Sequence, residues 1–167
     1  MNQQDIFNSW IKDYRALLFK VIRAYTLNDD DANDLFQEIT IQIWKSIPNF
    51  KGASAVSTWL YRIALNTSIR WSKNERKRNN GKQEFDKSAH LIEYQPDKND
   101  ERLDWLYYQI AQMNEIDKSL TLLLMDGFSY KEMAEMVGIS ESNIGVKIHR
   151  IKKLLVERSK NYISYGV

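Results

Sequence analysis

The 167-residue chain contains no cysteine, which excludes disulfides and cysteine-ligated zinc or iron–sulfur centres. Only two prolines and six glycines interrupt it. So few obligatory turns favour long helices over a many-stranded β fold. No apolar run approaches the roughly 18–20 residues that a membrane span requires, so no membrane insertion is expected. The start, Met1-Asn2-Gln3-Gln4-Asp5, lacks the basic-then-apolar pattern of a secretory signal. Glycine-rich phosphate loops are missing. The two histidines, His90 and His149, make no local zinc constellation. A cytoplasmic protein with no cofactor, no metal and no catalytic residue of its own is the expectation.

What is present is 43% hydrophobic and 28% charged, as in an ordinary globular protein. The net charge of +2, from 24 basic and 22 acidic residues, implies no partner by itself. The distribution of that charge is uneven. Asp29, Asp30, Asp31, Asp34 and Glu38 form an acidic segment without a cation. From Arg62 to Lys82 seven cations face one acid, Glu75, and the stretch from Glu84 to Asp104 is again acid-dominated. Near the end, Lys147, Arg150, Lys152, Lys153, Arg158 and Lys160 face only Glu157. A charge run is ordinarily a solvated face, but two basic segments that each end an amphipathic helix suggest a polyanion.

Periodicity predicts the helices. Ile6, Trp10, Tyr14, Leu17, Leu18, Val21 and Ile22 recur at three- and four-residue steps, as in a single amphipathic helix reaching Tyr25. Asn28 and Asp29 suit a cap, and the acids after them suit the positive end of the next helix dipole. That helix carries Leu35, Ile39 and Ile43 and ends near Pro48. After a loop containing Gly52, a long helix runs from Thr58 to Arg78, where Asn79-Asn80-Gly81 stops it. Residues 79–100 read as a polar linker with Pro96. Leu103, Leu106, Ile110 and Met113 begin a second group of helices, and the next, with Leu120 to Met125, is expected to be capped by Asp117 and ended by Gly127. The chain is therefore expected to be all-α, with helical domains at 1–78 and 101–167 on either side of a flexible linker.

Ser129-Tyr130-Lys131-Glu132 fits a capping box, in which hydroxyl and carboxylate satisfy two backbone amides reciprocally. Met133, Ala134, Met136 and Val137 give a short apolar face, Gly138 supplies a sharp turn, Ile139 can plug it, and Ser140 caps a further helix. Ile144, Ile148, Ile151 and Leu155 are that helix's buried stripe. This is the helix-turn-helix pattern, against the plainer alternative of a helical hairpin with a basic surface. The opposite face presents Glu141, Ser142, Asn143 and Val146, where base edges would be met, then Lys147 and Arg150 for phosphates. Gly145 either permits close approach of the backbone to DNA or weakens the helix. In the helix before the linker, aromatic Trp59 and Tyr61, polar Asn66 and a cationic end are suited to unpaired bases, although aromatics at helical spacing are more often core residues.

Two enzyme-like patterns fail. Asp29, Asp31 and Asn33 imitate the start of a calcium loop, but Asp34 replaces its glycine and Thr40 its final glutamate. Ser9-Trp10-Ile11-Lys12 has a serine–lysine spacing without supporting motifs, and Trp10 belongs to an apolar stripe.

The stretches Asp34-Leu35-Phe36-Gln37-Glu38, Ile43-Trp44-Lys45, Phe50-Lys51-Gly52 and Thr58-Trp59-Leu60-Tyr61-Arg62-Ile63-Ala64-Leu65-Asn66 resemble the second region of bacterial extracytoplasmic-function sigma factors. Phe128 to Ala134, and Ser140-Glu141 through to His149-Arg150, look like the fourth region of the same family. The resemblance implies a dissociable subunit of RNA polymerase that recognises promoters. Asp34, Leu35, Gln37, Glu38, Ile41 and Trp44 would dock on the clamp coiled coil of the polymerase's largest subunit. Lys51, Trp59, Arg62 and Asn66, followed by Arg70, Arg76, Lys77 and Arg78, would read and open the minus-ten element. The second helix of the C-terminal motif would enter the minus-thirty-five element, and the acidic linker would occupy the transcript path. An anti-sigma partner is a further implication of the resemblance. Gly145 and Val146 depart from the residues common in the family. A stand-alone helix-turn-helix regulator is the alternative, and a metal-dependent hydrolase using the Asp29–Glu38 carboxylates is a distant third.

Overall fold

The computed structural model describes residues 1–79 and 100–164. Residues 80–99 of the expected linker, with Pro96 and His90, and the helix stop at Asn80-Gly81 lie outside the described residues, while Asn79 is the last residue of α4. Within them the regular structure is helical throughout: α1 (Gln3–Asp13), α2 (Arg15–Tyr25), α3 (Asp29–Ser46), a 3-10 turn (Ile47–Asn49), α4 (Val56–Asn79), α5 (Glu101–Ala111), α6 (Glu115–Met125), α7 (Tyr130–Val137) and α8 (Glu141–Ser164). The backbone divides into two compact units between Tyr107 and Tyr108, inside α5.

Local chemistry sets most of these boundaries. Asn2 opens α1 with a capping box, its side-chain oxygen accepting the Asp5 amide at 2.9 Å. Asn28 caps α3 by accepting the Asp31 amide at 2.8 Å, and Asp29, Asp30 and Asp31 fill the first turn, where the dipole favours them. Pro48 then forces the tightening into the 3-10 turn.

In the first unit, Leu18, Val21 and Ile22 of α2, Leu35, Ile39 and Ile43 of α3, and Leu60, Ala64 and Leu65 of α4 close a core. The expected single helix from Ile6 to Tyr25 is instead two. Tyr14 leaves helical geometry, with φ −108° and ψ 17°, so α1 ends there and α2 starts at Arg15. The physical reason lies in what α1 packs against. No residue of α1 is fully buried. Its aromatics reach sideways, Phe7 meeting Trp44 edge-on at 5.4 Å and Trp10 meeting Phe50 at 5.2 Å. Periodicity reports an apolar face but not a change of the axis that carries it. At the other end of this unit, the Arg23 guanidinium lies 4.1 Å from the Tyr107 ring centroid and reaches the Asp104 carboxylate at 2.6 Å.

In the second unit, Ile110, Leu120, Leu122, Leu123, Met133, Met136, Ile144, Ile148 and Ile151 form the core, and Leu155 at the end of the expected stripe is only half-buried. The cap of α6 is Asn114, which accepts the Asp117 amide at 2.9 Å, so Asp117 occupies the third helical position instead of the cap. Both residues are competent caps, and the extended backbone at Asn114 decides between them. Gly127 ends α6 with φ +80°, its amide bonding to the Leu124 carbonyl and that of Phe128 to the Leu123 carbonyl. Gly138, also at φ +80°, turns the chain from α7 toward α8.

Gly145 lies inside α8, where an added Cβ would sit 3.7 Å from the Tyr130 ring, an ordinary contact. Gly145→Ala is therefore expected to raise the stability of the full chain by up to about 1 kcal/mol. Gly138→Ala should lower it by about 1–2 kcal/mol, because alanine is strained at that φ. Urea denaturation followed by circular dichroism checks both signs.

Candidate protein and nucleic-acid interfaces

Helix α3 has two faces. Ala32, Leu35, Ile39 and Ile43 point into the core, while Asp34, with Gln37 and Glu38 three and four residues on and Ile41 and Trp44 at further steps of three, lies on the exposed side. Ile41 is 46% exposed and Trp44 37%. A stripe of carboxylates and amides around two exposed apolar side chains is suited to another protein. Leu35 must be removed from that set. It is 0% exposed, because its position on the helix turns it toward α2 and α4, and it supports the stripe from beneath.

The stripe's far end is braced. Gln3 donates its side-chain amide to the Trp44 carbonyl at 2.8 Å. One turn on, the Ser46 hydroxyl donates to the Ile43 carbonyl at 2.8 Å and accepts the Trp59 indole N–H at 3.3 Å. The Phe50 ring stands 5.5 Å from that of Trp59. Trp59 is thus half-buried and held by a hydrogen bond and two aromatic neighbours in series, Phe50 and Trp10. Tyr61, expected beside it as a stacking ring, is only 2% exposed and belongs to the core.

From Trp59 onward, steps of three and four residues at about 100° each bring Arg62, Asn66, Arg70, Lys73 and Lys77 onto one exposed face of α4. Arg76 borders this face. Arg78 stands about 100° beyond Lys77, and its guanidinium reaches Glu75 at 3.4 Å. Lys51 is exposed in the loop preceding α4, next to Gly52. Lys73 was counted in the sequence as charge without being singled out, although its spacing from Asn66, Arg70 and Lys77 places it on the face.

Helices α7 and α8 form the expected helix-turn-helix. Both bonds of the Ser129 capping box are made: the Ser129 hydroxyl accepts the Glu132 amide at 3.2 Å, and the Glu132 carboxylate accepts the Ser129 amide at 2.7 Å. The latter bond, reinforced by the hydroxyl, holds the Glu132 carboxyl below the usual glutamate range. Ser140 caps α8 by accepting the Asn143 amide at 3.2 Å. Opposite the buried isoleucines, Ser142, Val146, His149, Arg150 and Lys153 share the exposed face, with Val146 51% exposed. Glu141 and Asn143 flank its first turn and are exposed. Lys147 sits at the edge, where its ammonium reaches Asp117 of α6 at 3.5 Å. His149 and Lys153 were missed as members of this face, and their distances of three and seven residues from Val146 were the available signal. Among the described residues no group of histidine and carboxylate side chains is placed to hold a metal ion, and no helix is long and apolar enough to cross a membrane.

Two family models match, one described as Sigma-70 region 2 over residues 10–78 and one as Sigma-70, region 4 over residues 103–155. The chain belongs to the sigma-70 family. Within that family it is an extracytoplasmic-function sigma factor, an alternative sigma factor that directs transcription initiation. It is 24% identical over 161 residues to the ECF RNA polymerase sigma-E factor of Haemophilus influenzae, covering 89% of this chain and 85% of that protein. It is 26% identical over 165 residues to the sigma factor YlaC of Bacillus subtilis, covering 95% and 90%. In fold it is similar to the sigma factor RpoE of Bartonella quintana, solved in complex with the anti-sigma factor NepR, with a TM-score of 0.70, 21% identity, and coverage of 92% of this chain and 96% of that one. CnrH, solved with the cytosolic domain of CnrY, gives a TM-score of 0.63 at 16% identity over 95% and 90%. The stand-alone regulator alternative is set aside, because residues 10–78 match region 2.

The two faces of α3 separate by substitution. Leu35→Ala is expected to destabilise the protein by about 2–5 kcal/mol through the cavity it leaves, whereas Ile41→Ala should leave the urea midpoint unchanged. For Glu132 the sign follows from its lowered pKa: the carboxylate's contribution is present above the usual glutamate range and lost as pH falls through the lowered value. Glu132→Gln, which keeps an acceptor but cannot titrate, should flatten the acid side of the melting profile from about pH 7 to about pH 3.

Proposed function

We propose that two segments of the chain divide promoter recognition between them, residues 1–78 gripping the polymerase and opening DNA, and residues 101–167 anchoring in duplex upstream. The exposed α3 stripe of Asp34, Gln37, Glu38, Ile41 and Trp44 docks on the clamp coiled coil of core RNA polymerase. The α4 face from Trp59 through Arg62, Asn66 and Arg70 to Lys77, with Lys51 in the loop before it and Arg76 at its border, receives the separated strand of the minus-ten element. The α8 face meets the minus-thirty-five element in the major groove, with Ser142 and Val146 toward base edges and His149, Arg150 and Lys153 toward phosphates. Lys147 joins them by exchanging Asp117 for a phosphate. An anti-sigma factor is the expected regulator, the chain acts in the cytoplasm, and it carries no catalysis of its own.

The observation that supports this division best is the α4 face. A half-buried tryptophan held at its indole nitrogen heads a line of cations and one carboxamide. That is what strand capture requires: a ring to stack on a base and charges to follow the backbone. Unpairing costs a few kcal/mol. Neither DNA surface is large, so each contributes modestly, with a log–log salt slope of roughly one per phosphate contact. Tight binding then requires the polymerase to hold both units at fixed spacing, which raises the effective concentration of the second contact.

Transcription in vitro with purified bacterial core polymerase and a genomic fragment library tests this. Addition of the chain is expected to produce discrete start sites. Ile41→Ala with Trp44→Ala should remove them together with core binding, and Asn66→Ala should reduce initiation while core binding persists. The chain alone should bind promoter fragments weakly, and Lys153→Ala should lower the salt slope of the assembled complex by about one. Absence of initiation with cognate core, or tight sequence-specific binding by the free chain, contradicts the proposal.

A further inference from the structure

The first unit carries a groove lined by none of the residues assigned to the polymerase or DNA faces. It has a volume of about 510 Å³, lies where α1, α2 and α3 meet, and is walled by Phe7 and Ile11 of α1, Phe19 of α2 and Phe36 of α3. All four are half-buried, so apolar surface in the groove faces water, with the polar Asn8 and Asn33 beside it. The Phe19 and Phe36 rings are stacked at 5.4 Å with an interplanar angle of 11°, forming a flat wall.

The rim is charged with one sign. Lys12 and Arg15, exposed on either side of Tyr14, both line the groove, and no carboxylate does. The Arg15 guanidinium carbon lies 5.3 Å from the Phe19 ring centroid, which orients the group over the apolar wall. Among the described residues neither cation is in an ion pair. Two cations without counter-ions beside three phenylalanines form a surface complementary to an apolar anchor with carboxylates next to it.

We propose that this groove binds an acidic amphipathic helix of a partner protein, a leucine or phenylalanine anchor entering between the Phe7 side and the Phe19–Phe36 wall while carboxylates one turn away meet Lys12 and Arg15. Helix-in-groove recognition of this type uses apolar anchors at three- and four-residue spacing for affinity and flanking charge for selectivity. The site does not depend on the assignment of the polymerase and DNA faces, and it commits to a protein ligand by the pairing of aromatic wall and one-signed rim.

Two synthetic helical peptides with the same leucine–phenylalanine stripe, one flanked by glutamates and one by lysines, provide the probe for the isotope-labelled full chain followed by NMR. The glutamate peptide is expected to shift the signals of Phe7, Phe19 and Phe36 and to bind at least tenfold more tightly than the lysine peptide. Replacing its anchors by alanine should abolish those shifts. The double substitution Lys12→Glu with Arg15→Glu, at two exposed positions, should invert the preference. Three results would overturn the proposal: shifts confined to the cationic faces of α4 and α8 with the groove silent, equal binding of the two peptides, or a preference that survives the charge reversal.

Discussion

Everything in the first unit depends on the burial of one side of α3 against α2 and α4. Leu35, Ile39 and Ile43 are inaccessible to water, and this fixes the rotation of the helix about its own axis. A helix locked in rotation presents a defined opposite side, so Ile41 and Trp44 remain at the surface although apolar residues at those positions would favour the interior. Removing two side chains of that size from the core leaves hydrophobic contact area available to a partner. The same constraint places Ser46 at the end of α3, where it can accept the indole of Trp59. The exposed face of α3 and the position of Trp59 on α4 are in this sense two outputs of one packing arrangement.

The second unit reaches its geometry by a different route, through termini more than through area. Ser129, Gly138 and Ser140 define a start, a turn and a second start within twelve residues of chain, and each is satisfied by its own backbone bond. The direction in which α8 leaves the turn is therefore fixed by local bonds as well as by the packing of its isoleucines, and its outward face follows from their inward one. Asp117 adds a restraint by holding Lys147 at the edge of that face. Such a pair is half-exposed and contributes little stability, so its importance lies in where it leaves the ammonium group.

Much of this architecture could be read from residue spacing. The caps at Asn28, Ser129 and Ser140, the turn at Gly138, the stop at Pro48 and the isoleucine stripe of α8 all act within four residues of themselves, and local rules suffice for them. What escaped was non-local. The break at Tyr14 answers to Trp44 in α3 and Phe50 after it, thirty and thirty-six residues away. Leu35 was grouped with its polar neighbours because a motif follows the chain, whereas burial follows angle. Tyr61 and Trp59 looked alike as aromatics near a loop, and only the packing of α2 and α3 separated a core ring from a half-exposed one. The choice of Asn114 over Asp117 as cap turned on backbone conformation at a junction where both side chains qualify. Lys153 was visible as charge and His149 as a lone histidine, but neither as a member of a face, since the apolar period marks the buried stripe and leaves the polar positions opposite it unmarked.

The indole bond from Trp59 to Ser46 has a consequence for the energetics of opening a duplex. Because the ring is immobilised as the chain folds, the loss of its rotational freedom is already complete when nucleic acid arrives. On the proposed reading, an unstacked base would meet a ring already held in place and surrender only its own disorder. The restraint also ties the orientation of the Trp59 ring to the last turn of α3, the helix whose exposed face carries Ile41 and Trp44.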